Sequence, residues 1–579
     1  MNLNFLAASL LGLMISANAF AGDTKTVKLR IVQTSDVHGS FFPYNFIERK
    51  DARGSMSRVS SYVNRLRQEY GKNLILIDNG DILQGQPASY YYNYIATDKQ
   101  NIVSKVLNYM KYDAATFGNH DIEPGHAVYD KWTEEMNCPV LGANIIDTAT
   151  GLPYAKPYTI IERDGVKVAV LGMLTPAIPN WLEEKLWSGL RFDDIEKSAR
   201  KWMDYLKRVE KPDVIVGLFH SGWSGGISTP QYKEDAVQDV AAGVDGFDIL
   251  FFGHDHRARM AEEKNPSGRM TLCLDPSCNA INVADAEIVL TLKDGKVVDK
   301  KVDGDVHDIT GEPVDKDFVD YFKDDINDVE NYVSAKVGTI GKTMYTRDCF
   351  FGSSPFVDLI HNLQLKITKA DVSFNAPLQF NSVIKEGPIY MSDMFKLYKY
   401  ENKLCVMKMT GDEIRRHLEM SYDLWVNTMK SKDDHILMLD NRNSTDMQKF
   451  GFKNMTFNFD SATGIDYVVD VTKPDGQKVK ILRMSDGSKF DPDKWYKVAM
   501  NSYRANCGGE LLTKGAGISK EELLTRVIYE SELDLRHYLA EEIRKQGKIT
   551  PKANNNWRFV PEKWTKEALQ RDKKLLFGK

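Results

Sequence analysis

At 579 residues the chain is too long for one hydrophobic core, so two or three domains are expected. Hydrophobic residues at 42% and charged residues at 27% are an ordinary balance for a folded soluble protein. A formal net charge of -5 offers no broad attraction for polymeric nucleic acid, so no such partner is expected and any basic recognition is local.

The first twenty-one residues read as an export signal. Phe5 to Ile15 is an apolar run, too short to span a bilayer. Ala17-Asn18-Ala19 and Ala19-Phe20-Ala21 follow it, both small-x-small sites that a signal peptidase accepts. The leading Met1-Asn2-Leu3-Asn4 lacks the usual Lys or Arg. A mature protein that is periplasmic or secreted, without a membrane span, is expected. Six cysteines are few for this length. Cys273 and Cys278 flank a Leu-Asp-Pro-Ser turn and have the spacing to pair in an oxidising compartment, or to stay free.

From residue 22 to about 308, short runs rich in Val and Ile alternate with polar helical stretches. The runs are Leu29–Val32, Leu74–Ile77, Val166–Leu171, Val214–Leu218 and Ile249–Phe252; the helical stretches include Ser57–Tyr70 and Asp194–Val209. Nearly continuous apolar runs predict strands covered on both faces, hence an α/β domain with layered sheets. Over 309–340, Val319, Phe322, Ile326, Val329 and Val333 recur at three- and four-residue spacing, which predicts one connecting helix. Over 341–560 the helix-like Pro355–Thr368 and Gly411–Ser421 sit among the strand-like Lys403–Met409, Ile465–Val471 and Lys497–Met500, a second α+β domain. The charged tail, 561–579, reads as a surface helix or frayed end.

In the first half, five strand-like runs end in short turns bearing His, Asp or Asn. These are Asp36-Val37-His38, Gly80-Asp81, Gly118-Asn119-His120-Asp121, His220 and Gly253-His254-Asp255-His256. Carboxyl ends of strands are where open α/β sheets bind ligands. Carboxylate, imidazole and amide oxygen without thiolate suit hard and borderline divalent metals.

This series resembles that of the calcineurin-like metallophosphoesterases, over Lys28 to about Val306. The resemblance implies an α/β/β/α sandwich holding two divalent ions (Zn, Mn, Co or Fe) and a metal-bridging hydroxide that attacks phosphorus. By position, Asp36, His38 and His256 resemble the ligands of one metal, Asn119, His220 and His254 those of the other, with Asp81 bridging. His120 would protonate the leaving oxygen or stabilise charge on the phosphate, and Glu123 would orient it; related nucleotidases often have Asp at the latter position.

The second half resembles the carboxy-terminal substrate domain of the nucleotidases. There Tyr400 and Tyr503 match an aromatic pair that sandwiches a nucleobase. Asn402, Asn501, Gly508 and Gly509 share those two motifs as candidate base or ribose contacts. The stretch Ser373–Leu378 lacks the phosphate-binding Arg of the 5′-nucleotidases. With Phe457–Asp460 and Gly464–Tyr467, it looks more like the periplasmic 2′,3′-cyclic-nucleotide 2′-phosphodiesterase/3′-nucleotidases. The expected protein is therefore a monomeric exported hydrolase of nucleotide phosphate esters. The alternatives are a 5′-nucleotidase or nucleotide-sugar hydrolase and a non-catalytic nucleotide-binding protein.

Overall fold

The computed structural model describes residues 24–440 and 451–578. The export signal read in the first twenty-one residues lies outside them. Among the described residues no helix is long and apolar enough to cross a membrane.

The first half is built on two six-stranded sheets. One runs, in spatial order, Lys296–Asp308, Asn282–Lys293, Thr24–Thr34, Leu74–Asp78, Ala114–Thr116 and Val140–Leu141. The other runs Arg259–Lys264, Met270–Asp275, Ile249–Phe252, Val214–His220, Val166–Leu174 and Tyr158–Arg163. Alternation of side chains along each strand explains the layers. Leu29 and Ile31 point into a core shared with Val168, Val216 and Phe251 of the other sheet. Val32 points the opposite way, into the helix-covered core of Val59, Val63 and Val106. Leu171, Ile215 and Leu250 face the helices on the far side. Both faces of the central strands are dry, so their sequences read as continuous apolar runs. The result is the expected helix/sheet/sheet/helix sandwich.

Parallel registers bring the strand ends to one edge. Thr34 pairs with Asp78, His220 with Leu174 and Phe252 with Phe219. The loops that follow these residues therefore emerge together.

The segment expected as one connecting helix is two, Lys316–Tyr321 and Lys323–Ser334, broken at Phe322 (φ -93°, ψ 12°). Phe318, Phe322, Val329 and Val333 all sink into the first domain's core, and a kink lets both aromatic rings reach it. Lys336–Ile340, also assigned to that helix, is a strand pairing with Gly387–Tyr390 and Lys548–Ile549. The β-branched Val337 and Thr339 suit a pleated surface.

The second half centres on a five-stranded sheet in the order Ser461–Thr463, Val372–Asn375, Trp495–Asn501, Lys403–Thr410, Val527–Asp534. Apolar cores cover both its faces. The tail forms the helix Glu562–Phe577. It is docked rather than frayed: Asp572 is fully buried and accepts the Ile436 and Leu437 N–H groups. All six cysteines are free thiols, Cys273 and Cys278 included.

Candidate active site

The loops beyond the strand ends are tied to one another by backbone. Asp36 N–H donates to Gly80 O at 2.9 Å and His38 N–H to Asp81 O at 3.0 Å. Asp36, His38, Asp81, His254 and His256 all take positive φ, between 48° and 81°. Such conformations cost about 1–3 kcal/mol each and persist where the surroundings over-determine them. Two glycines make room for the carboxylates. A Cβ on Gly118 would lie 2.1 Å from Asp81 Oδ1, and one on Gly253 would lie 2.4 Å from Asp36 Oδ2.

The side chains converge in two groups. Asp36, His38, Asp81 and His256 offer ligand atoms within 4.8 Å of one another, and so do Asp81, His220 and His254. Asp81 belongs to both. Asn119 joins the second group, its Oδ1 lying 2.8 Å from His254 Nδ1 and 3.2 Å from His220 Nε2.

The outer hydrogen bonds fix which ring nitrogens face inward. His220 Nδ1 lies 2.7 Å from Asn79 O and donates to it. Its Nε2 points inward, 3.3 Å from Asp81 Oδ2. Burial opposes charge on this ring, but Asp81 and then Asp36 outweigh it and push His220 up to about 9, so a cation bound there would take the place of the Nε2 proton. His38 Nδ1 donates to Gln84 O at 3.2 Å, which leaves Nε2 as a lone pair 3.1 Å from His256 Nε2. His254 Nε2 donates to Glu234 Oε1 at 3.1 Å, so Nδ1 faces the Asn119 oxygen. Asp36 Oδ1 is buried and accepts no hydrogen bond. Burial, and then His256, push the His38 imidazole down to about 3, so it stands neutral. Acceptor atoms turned toward one another in this way fit divalent cations. Oxygen and nitrogen donors without thiolate suit Zn, Mn, Co or Fe.

His120 and Glu123 stand beside this centre. Glu123 Oε2 lies 2.6 Å from His120 Nδ1, and the His120 N–H donates to Asp81 Oδ1 at 2.7 Å. Burial opposes charge on the imidazole, but Asp81 and then Glu123 outweigh it and push His120 up to about 10. Asp121, quoted in the motif but given no role, is the keystone beneath. Its buried carboxylate accepts the N–H groups of Asp81, Ile82, Leu83 and Gly118 at 2.8–2.9 Å.

A cleft of about 680 Å³ opens from this centre between the two halves. Asn119, His120, Glu123 and His254 line one side; Tyr400, Asn402, Phe457, Asn501 and Tyr503 line the other. Gln84 straps the sides together: its carbonyl holds His38, and its Nε2 donates to Glu401 Oε2 at 3.1 Å, next to Tyr400.

The calcineurin-like phosphoesterase family matches residues 29–258, and the 5′-nucleotidase C-terminal domain family matches 333–514. The chain belongs to the calcineurin-like phosphoesterases that carry a 5′-nucleotidase C-terminal domain. It is a metal-dependent phosphoester hydrolase. It is 27% identical to the 2′,3′-cyclic-nucleotide 2′-phosphodiesterase/3′-nucleotidase of Haemophilus influenzae, over 96% of this chain and 91% of that protein. The protein of the same name from Yersinia enterocolitica is 25% identical over the same shares. Among solved structures, the 5′-nucleotidase precursor of Thermus thermophilus superposes with a TM-score of 0.63 at 18% identity, covering 92% of this chain and all of that one. That likeness shows the two-domain fold.

Within this phosphoesterase the second-half candidates divide by what they touch. Tyr400 and Tyr503 line the cleft, and Phe457 stands beside Tyr503, their ring centroids 6.0 Å apart and nearly perpendicular. Phe457 was quoted with its motif but not foreseen as a lining residue. Gly508 does not line the cleft. The Tyr503 ring lies so close that a Cβ there would meet it at 2.5 Å, so Gly508 seats the ring. Gly509, at φ 70°, makes similar room for Asn458 and Arg504. Asn501 lines the cleft while both ends of its amide are engaged: Oδ1 caps the Arg504 N–H at 2.8 Å and Nδ2 donates to the Tyr398 hydroxyl at 3.0 Å. Asn402 Oδ1 accepts from that same hydroxyl at 3.3 Å. Glu234 and Trp181 were not foreseen. Glu234 comes from a hairpin with no motif, and Trp181 covers His254 with ring centroids 5.8 Å apart.

Proposed function

We propose that the chain is an exported 2′,3′-cyclic-nucleotide 2′-phosphodiesterase/3′-nucleotidase, with Asp36, His38, Asp81, Asn119, His220, His254 and His256 as ligands of two metal ions. One observation carries the reading. Asp81 is shared by two groups of inward-facing ligand atoms, and Asn119 and His254 of the second group line the same cleft as Tyr400, Phe457 and Tyr503. A metal pair and a stack of aromatic faces in one cleft suit a phosphate attached to a nucleoside. The names of the Haemophilus and Yersinia relatives support the cyclic and 3′ positions. The leader of small-x-small sites supports export to the periplasm or beyond.

Bound divalent ions would supply Lewis-acid charge to the phosphoryl oxygens and lower the pKa of a reacting water. The remaining work falls to the chain. Tyr400 and Tyr503 hold the base, and the turn of Asn119 and His120 presents an imidazole to the cleft. Glu123 accepts from Nδ1 of that ring, which leaves Nε2 to serve the ester oxygen. Hydrolysis of a 2′,3′-cyclic nucleotide adds water across the P–O2′ bond, with the proton going to O2′, and yields the 3′-nucleotide. A second water then cleaves the P–O3′ bond to release phosphate and nucleoside. Metal-loaded enzyme should turn over 2′,3′-cyclic AMP and 3′-AMP, and 5′-AMP poorly. Turnover of 5′-AMP alone would overturn the assignment of position.

A further inference from the structure

Arg504 follows Tyr503 in sequence, but it is buried behind the cleft wall and does not line it. A guanidinium carries five N–H donors, and here each one is engaged. Nε and Nη2 donate to the two oxygens of Asp460, at 2.9 and 3.0 Å. The other three donors go to uncharged acceptors. Nη2 donates to Phe457 O at 2.9 Å, and Nη1 donates to Asn458 Oδ1 at 3.2 Å and to Gly508 O.

Matching the charge of Asp460 takes only the first two bonds. The remaining three tie together segments far apart in sequence: the turn Thr456–Asn458, and the stretch from the short helix Ser502–Ala505 to Gly508. These segments present Phe457 and Tyr503 to the cleft, with the two rings 6.0 Å apart and nearly perpendicular. The space around the fork is filled. Its central carbon stands 5.5 Å from the Tyr503 ring centroid. A Cβ on Gly508 would lie 2.5 Å from that ring, and one on Gly509 would lie 2.6 Å from Arg504 Nη1. The opposite wall is reached through a relay. Asn501 Oδ1 accepts the Arg504 N–H at 2.8 Å, and Asn501 Nδ2 donates to the Tyr398 hydroxyl at 3.0 Å. That hydroxyl donates to Asn402 Oδ1 at 3.3 Å, two residues past Tyr400.

We propose that Arg504 is the positioning residue of the base clamp, its planar fork fixing Tyr503 against Phe457 before a ligand arrives. Affinity for the base then depends on a side chain that never touches it. This rests on the nucleotidase reading of the cleft. The fork has to reach acceptors in several directions within one plane, whereas a lysine ammonium offers three donors from a single nitrogen. A wall already held in its binding geometry loses little freedom on binding, and that raises affinity.

The test uses metal-loaded, full-length enzyme. Arg504→Lys keeps a charge for Asp460 and loses the fork. It should raise KM for 3′-AMP and weaken inhibition by adenosine about tenfold, part of the contribution of one stacked base. The kcat for 3′-AMP should stay near wild type, and so should turnover of 4-nitrophenyl phosphate, which has no base. Asn458→Ala removes one clamp-side acceptor and leaves both Asp460 bonds in place. It should show the same split at about threefold, and it carries the test where Arg504→Lys does not fold. A lower urea midpoint with KM and adenosine inhibition unchanged would make the fork purely structural and overturn the proposal. So would equal losses on 3′-AMP and 4-nitrophenyl phosphate. Failure of the nucleotidase reading is distinguishable: wild-type enzyme would then turn over 4-nitrophenyl phosphate without inhibition by adenosine.

Discussion

Glu123 Oε2 accepts from His120 Nδ1 across 2.6 Å, which fixes the imidazole that follows metal-ligand candidate Asn119. The pair sits three residues apart on a single helical turn, so its geometry is local. His120→Ala is expected to lower kcat by about 10²–10⁴-fold, the range for loss of a general acid. Glu123→Gln removes the orienting charge and should cost less, up to about a hundredfold, mainly in kcat. Metal content, measured by atomic emission, should stay at the wild-type value in both. Loss of metal in either variant would make the pair part of the metal centre instead.

Glu234 is expected to tune the centre from outside. It holds His254 Nε2 at 3.1 Å and so keeps Nδ1 turned inward. Glu234→Ala should weaken metal binding about 10–100-fold. Titration with a chelator while activity is followed measures this, and added manganese or zinc should restore wild-type activity to the stripped enzyme. A variant that holds metal as tightly as wild type would show that His254 needs no such support.

The aromatic faces make a separable prediction. Stacking on an aromatic ring contributes about 1–3 kcal/mol per base. Tyr503→Ala and Tyr400→Ala should therefore raise KM for 3′-AMP by roughly 5–150-fold. Neither should change turnover of 4-nitrophenyl phosphate, which has no base. Equal losses on both substrates would place these tyrosines in the chemistry rather than the clamp.

Beneath the clamp, Asp460 is held by Arg504 through two bonds and by His417 at 2.8 Å. Burial alone would raise the Asp460 carboxyl, but Arg504 and then His417 outweigh it and hold it below its ordinary value. A depressed carboxyl gives stability that is full above the ordinary value of about 4 and is lost as pH falls through the folded one. Urea unfolding should therefore show stability declining below about pH 4. Arg504→Met leaves a buried carboxylate without its main partner and should cost about 3–5 kcal/mol near neutral pH. Its acid decline should be shallower than that of wild type. An unchanged acid limb would mean that the pair does not control it.

The gathering of the candidate ligands was legible in the sequence because each sits within a few residues of a strand end. Strand order then does the rest: parallel pairing of Thr34 with Asp78 and of Phe219 with Phe252 collects the loops at one edge. Glu234 was not legible, since its contact with His254 spans twenty residues and depends on how a hairpin folds back. The kink at Phe322 was missed because three- and four-residue spacing continues through it, and Phe318 was left out of the stripe. Gly508 was read as a ligand contact, whereas its motif reflects the space that the Tyr503 ring needs. Trp181 belongs to no periodic segment and became visible only against His254.

The most direct test follows the products of 2′,3′-cyclic AMP by chromatography with metal-loaded enzyme. The account predicts that 3′-AMP appears first and then gives way to adenosine and phosphate, with both steps stopped by chelator. Accumulation of 2′-AMP, or no turnover of the cyclic substrate and of 3′-AMP while 5′-AMP is hydrolysed, would contradict it.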